Sequence, residues 1–142
     1  MIQTPFEAER IFAASYAGKK ARLCLATATT QDLESTTAQW DAVEKSGNGY
    51  VRCEWIIPEG SYEAERFEAE TQNCQFIASS GGAGLSWNAA YLVIGTIGGG
   101  GVVTWNTGVS FVLTENPLVT LAAGTSRPYT VKLFTDGFTV TA

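Results

Sequence analysis

Ser46-Gly47-Asn48-Gly49-Tyr50-Val51-Arg52-Cys53-Glu54-Trp55-Ile56-Ile57-Pro58 is a glycine-rich turn that leads straight into a strand. Gly47, Asn48 and Gly49 tolerate positive φ, so the backbone can reverse within them before side-chain alternation begins. Val51, Cys53, Trp55 and Ile57 then share one face at period two, and Tyr50, Arg52 and Glu54 share the other. This predicts a half-buried strand with Tyr50 outward and Val51 inward. Pro58 cannot donate to a ladder, so pairing is expected to stop at or before it.

Outward from that stretch the same period recurs. Arg22 to Thr27 predicts a strand with Leu23 and Leu25 inward, and Asn73 to Ser79 predicts another with Cys74 and Phe76 inward. Leu85 to Thr96 is the most apolar segment, with Trp87, Ala89, Tyr91 and Val93 on one face and Ala90, Leu92 and Ile94 on the other. Two apolar faces imply a central strand, or one covered by a partner chain. Gly98 to Gly101 reads as a hairpin loop, since no Lys-Ser/Thr follows it as a phosphate loop would require. Short strands then recur at Val109 to Leu113, Val119 to Leu121, Tyr129 to Leu133 and Phe138 to Val140, punctuated by Asn116-Pro117, Ala123-Gly124 and Asp136-Gly137. The last of these is a dipeptide that favours a two-residue hairpin turn.

Three segments depart from this pattern. Thr4-Pro5-Phe6-Glu7 has the form of a helix start, with Thr4 as N-cap and Glu7 reaching back, and Gly18 can end the helix. Ala28 to Lys45 is polar and predicts a long loop pinned by Trp40 and Val43. The acidic run Glu63 to Glu70 predicts an edge strand whose outward charges discourage pairing with other chains. The expected fold is all-β: a single domain over residues 1–142, an antiparallel β-sandwich or jelly-roll-like domain, with residues 1–18 as an N-terminal helix or arm.

Charge and residue inventory narrow the function. A net charge of -5 with scattered basic residues argues against nucleic acid, whose phosphates demand clustered Lys and Arg. No apolar run approaches the roughly 20 residues of a membrane span. Cys24, Cys53 and Cys74 show no metal-ligand spacing and the chain has no histidine, so no metal and no cofactor is expected. An odd cysteine count, and an N-terminus unlike a signal peptide, predict reduced thiols in a protein folded in a cytoplasm. Nothing resembles a nucleophile with its base, and the acidic run is too hydrated to push carboxyl pKa values apart, so no catalytic residue is expected. Of the four tryptophans, Trp40 and Trp105 lie near loops, where they could form a stacking platform for sugars.

Three motifs carry a family resemblance: Ser46 to Arg52, Phe76-Ile77-Ala78, and Trp87-Asn88-Ala89-Ala90-Tyr91-Leu92-Val93-Ile94-Gly95. With the Ala21 to Ala26 strand and the Val119 to Val140 pattern, the chain resembles a group of small virion proteins of tailed bacteriophages. That resemblance implies a β-sandwich accessory protein of the capsid, tail or fibre, without catalytic residues. The expected function is a capsid decoration or cement protein, assembled in the host cytoplasm and located on the virion. It is expected to bind the major capsid protein or another virion protein, as a homotrimer whose symmetry buries the apolar strand face. A tail, neck or fibre component and a carbohydrate-binding adhesion module are the alternatives. Phe6, Ile11, Phe12 and Trp105 are the expected interface residues, and Gly47, Asn48 and Gly49 the structural turn.

Overall fold

The structure, a computed structural model, describes residues 5–63, 66–69, 72–134 and 137–141. Its elements run in order as α1 (Pro5–Ser15), β1 (Lys20–Ala26), α2 (Thr37–Asp41), β2 (Cys53–Ile56), β3 (Ser61–Glu63), β4 (Arg66–Glu68), β5 (Gln72–Ile77), β6 (Leu85–Ile97), β7 (Val103–Trp105), β8 (Phe111–Leu121), β9 (Ser126–Phe134) and β10 (Gly137–Thr141). All strand pairs are antiparallel and fall into two five-stranded sheets. In the first, β2-β1-β6-β7 are neighbours and β8 also pairs β6; in the second, the order is β10-β9-β4-β3 and β5 also pairs β9. The expected sandwich with an N-terminal helix is therefore the fold.

Leu23, Leu25, Trp55, Leu92 and Ile94 of the first sheet meet Cys74, Phe76, Tyr129, Val131 and Leu133 of the second in the core between them. Inside that core the Trp87 indole N–H donates to Tyr129 Oη at 2.9 Å, which satisfies a polar atom that burial would otherwise orphan. Helix α1 ends as the sequence predicts, with Gly18 at φ 75° and its N–H donating to Ile57 O. Thr4, the expected N-cap, lies outside the described residues.

Several expectations need correction. Trp87 does not share a face with Ala89 and Tyr91: a register shift between Trp87 and Ala89 breaks the alternation, so Trp87, Ala90 and Leu92 face the inter-sheet core while Ala89, Tyr91 and Val93 face away from it. The outer face of the apolar strand is closed by this same chain. Trp40 on α2 packs there with Cys24, Ala26 and Tyr91, so the 28–45 segment is a packed cover containing a short helix rather than a plain loop. β8 runs continuously through a cis Asn116–Pro117 bond where two strands were expected. Gly137 of the expected Asp136-Gly137 turn is instead the first residue of β10, paired with Phe134, and Asp136 lies outside the described residues.

Near the opening stretch the alternation also slips. Val51 is 74% exposed, and Tyr50 turns inward to pack on the core. Cys53 and Cys74 are not free thiols but a disulfide, Cα atoms 5.7 Å apart, which ties β2 of one sheet to β5 of the other. Spacing in sequence could not reveal that pair, because it is the stacking of the sheets that brings the two residues together.

The turn itself is as expected, with Gly47, Asn48 and Gly49 all at positive φ. Asn48 O accepts from Ser79 N–H and Asn48 Oδ1 from Ala83 N–H, which docks this turn on the 79–84 turn. Gly49 is held by more than its φ of 87°: a Cβ there would lie 2.7 Å from Ser79 N and 3.2 Å from Ile77 O. Gly49→Val is expected to cost about 1–3 kcal/mol through strain and backbone displacement; a denaturation midpoint equal to wild type would show that the contact yields freely.

Candidate functional site

The outer face of the first sheet carries a connected cluster of polar side chains. Arg22, on β1, is 1% exposed. It points to the outer face because it sits one residue out of phase with Leu23, and α2 closes over it. Thr36 starts α2 with a capping box, its hydroxyl accepting from Gln39 N–H while Gln39 Oε1 accepts from Thr36 N–H. That Thr-x-x-Gln signal was present in the sequence and predicts the helix missed above.

At the end of α2 stands Asp41. Its Oδ1 and Oδ2 accept from Arg22 Nη1 at 3.0 Å and Nη2 at 2.9 Å, a two-pronged pair that suits the planar guanidinium. Tyr91 Oη donates to Asp41 Oδ1 at 2.7 Å, and the Trp105 ring lies 4.8 Å from the Arg22 guanidinium carbon. Burial works to raise the Asp41 pKa, but the hydrogen bonds from Arg22 and Tyr91 and the Arg22 charge outweigh it and hold the carboxyl below its ordinary value. Beside them the Cys24 thiol is pushed up to about 12, by burial first and then by Glu44, so it is an inert thiol and no nucleophile.

A second polar group adjoins the first. Glu44 pairs with Arg52 and accepts from Tyr50 Oη at 2.7 Å, while Tyr50 Oη itself accepts from Leu25 N–H at 3.0 Å. Tyr50 thus turns inward because its hydroxyl finds both an acceptor and a donor there. Burial, the neighbouring Cys24, and the hydrogen bonds to Glu44 and Asp41 raise the Tyr50 and Tyr91 phenols, in that order; burial raises Tyr129 to about 12. Neutral hydroxyls therefore favour the folded state fully below the unfolded pKa of about 10, and that contribution fades as pH rises through the folded values. Urea unfolding across the alkaline range should show stability falling from that pH upward.

An open cleft of about 420 Å³ lies over this cluster, walled by Asp41, Trp105, Asn106, Thr36 and Thr107, with Arg22 at its base. Its two sides are knitted together: Thr37 N–H donates to Thr107 O at 2.7 Å and Thr37 Oγ1 to Asn106 O at 2.6 Å. A neighbouring cleft of about 400 Å³ runs along Trp40, Leu33, Asn88 and Val112.

The expected interface residues are not brought together into one patch. Phe12 is wholly buried in the inter-sheet core, so it is a core residue and cannot anchor a partner. Ile11 is half-buried on α1, Trp105 is half-buried in the cleft, and the Phe6 side chain lies outside the described residues. Removing residues 1–17 would open the core rather than only weaken assembly. Trp40 is 1% exposed and stacks on Tyr91, so a platform of Trp40 with Trp105 does not exist.

Among the described residues no group of three or more His, Cys, Asp or Glu is placed to hold a metal ion, and no helix is long and apolar enough to cross a membrane. No protein-family model, curated protein or solved structure matches the chain.

Proposed function

We propose that this chain is a virion structural protein of a tailed bacteriophage, a decoration or cement protein that binds the assembled shell as a symmetric trimer. The observation that supports a role in association is a pair of open strand edges. Among the described residues β2 pairs only with β1 and β5 only with β9, and the Cys53–Cys74 link sets these two edges side by side. Along them Val51, Ile56 and Ile77 are 74%, 61% and 56% exposed. Unpaired edges with apolar side chains are where a sheet accepts a partner strand, and natural proteins usually blunt them when they have no partner.

This edge replaces the apolar face of β6 as the reason for assembly, since Trp40 and its segment cover that face. It also replaces Phe12 as the contact. The family resemblance of the Ser46 to Arg52 and Trp87 to Gly95 motifs supplies the virion context. Purified protein mixed with undecorated capsids should co-sediment at a fixed stoichiometry, and Ile56→Glu with Ile77→Glu should weaken binding at least tenfold while the fold stays intact. Monomeric sedimentation at micromolar concentration, with no capsid association, would overturn the proposal.

A further inference from the structure

We propose that the cleft over Arg22 is a carbohydrate site, in which the Trp105 indole stacks on the apolar face of a neutral pyranose ring and Asp41 and Asn106 bind its hydroxyls. Four observations carry it. The indole is seated rather than loose: it lies against the backbone at Gly95, where an added Cβ would fall 2.7 Å from Trp105 Cε3 and 3.1 Å from Cδ2. Only glycine lets an aromatic ring lie that close to a strand, and the half-buried ring, packed at the margin of the outer-face cluster, also lines the cleft.

The second observation is the acceptor beside it. Asp41 is 35% exposed; its Oδ1 already takes two hydrogen bonds, whereas Oδ2 takes one and keeps a lone pair for a hydroxyl. The Asn106 side-chain amide is exposed, makes no hydrogen bond among the described residues, and supplies both a donor and an acceptor. Third, the walls are fixed before any ligand arrives, by the Thr37 bonds across to Asn106 and Thr107 and by the buried Arg22–Asp41 pair. Such preorganisation lowers the ordering cost of binding.

Charge selects the ligand class. The Arg22 guanidinium is buried and committed to Asp41, so the cleft offers no free cation and the local pair is neutral. A phosphate or a uronic acid would find no counter-charge and would face the Asp41 carboxylate. What remains complementary is a flat apolar face with hydroxyls at its rim, in a cleft of a size that suits a small ligand. Trp105 and Asn106 stand at the β7 side of the first sheet, with β6 and β1 between them and β2, so the ligand-contacting side of the cleft stands apart from the capsid contact proposed above.

The test uses the full chain labelled with nitrogen-15, following tryptophan indole N–H signals by NMR, with the Trp105 signal assigned from Trp105→Phe. The probes are the methyl glycosides of glucose, galactose and mannose, N-acetylglucosamine, and glucuronic acid as the anionic control. At least one neutral sugar should shift the Trp105 signal saturably in the millimolar range, Asn106→Ala should weaken that binding several-fold, and Trp105→Ala should abolish it. The Asn106 side chain is exposed, so that variant keeps the fold and the proposal remains testable even if Trp105→Ala does not. No shift with any neutral sugar, a shift with glucuronic acid alone, or binding undiminished in Asn106→Ala would overturn the site. Capsid binding should be indifferent to Asn106→Ala, so failure here is distinguishable from failure of the virion reading.

Discussion

Asp41→Ala is expected to lower the unfolding free energy by about 3 kcal/mol, the low end for breaking a buried ion pair by removing one partner. Arg22 would be left 99% buried with its carboxylate gone and only the Cys24 sulfur, at 3.4 Å, as a poor acceptor. Its Nε is already buried without a hydrogen-bond partner among the described residues, so beyond the Trp105 ring the guanidinium has no acceptor to fall back on. The low end applies because Asp41 is itself 35% exposed and water screens part of its attraction. Acid should expose the same dependence. The folded Asp41 pKa is depressed, so its contribution is fully present above the unfolded value of about 3.9 and is lost as pH falls through the folded value. Chemical denaturation of wild type and Asp41→Ala from neutral to acid pH checks both claims: the gap between them should narrow below that pH, and a gap near zero at neutral pH would mean the pair is dispensable.

The second large effect belongs to the disulfide. Cys53 and Cys74 are 21 residues apart in sequence, and closing a loop of that length restricts the unfolded chain by about 3 kcal/mol in the chain-entropy picture. Double replacement with alanine, or a reducing agent added to the intact protein, should shift the urea midpoint to a correspondingly lower concentration. The same treatment should leave Trp105 and its surroundings undisturbed, because they lie on the opposite face of the first sheet from Cys74. Equal midpoints in oxidised and reduced protein would show that the staple adds no stability.

Much of the fold was legible because period-two alternation is a local signal. β1, β2, β5 and β6 fall close to where the alternation put them, as do the turn at Gly47 to Gly49 and the helix ending before Gly18. What escaped depends on contacts distant in sequence. Tyr50 faces inward because Glu44 and Leu25 meet its hydroxyl, Cys53 finds Cys74 because two sheets stack, and Trp87 changes face because β6 breaks its register. The site was half legible: Trp105 was singled out as a loop-side aromatic, but Arg22 read as one of nine basic residues scattered along the chain, with only Lys19 and Lys20 close by. Only the arrival of α2 over β1 makes it a buried ion paired with Asp41. One local signal was there to be used, the Thr36-x-x-Gln39 cap that marks where α2 begins.

Asn88, the residue at the register shift in β6, has one more consequence. Its amide accepts from Ala28 N–H at 2.7 Å and donates to Ala28 O at 2.8 Å, so a side chain imitates the rung that a neighbouring strand would have supplied. That clasp holds the chain as it leaves β1 and starts the 28–45 segment back across Ala89, Tyr91 and Val93. A two-layer protein thereby acquires a third layer, and with it the roof under which Arg22 can be buried at all.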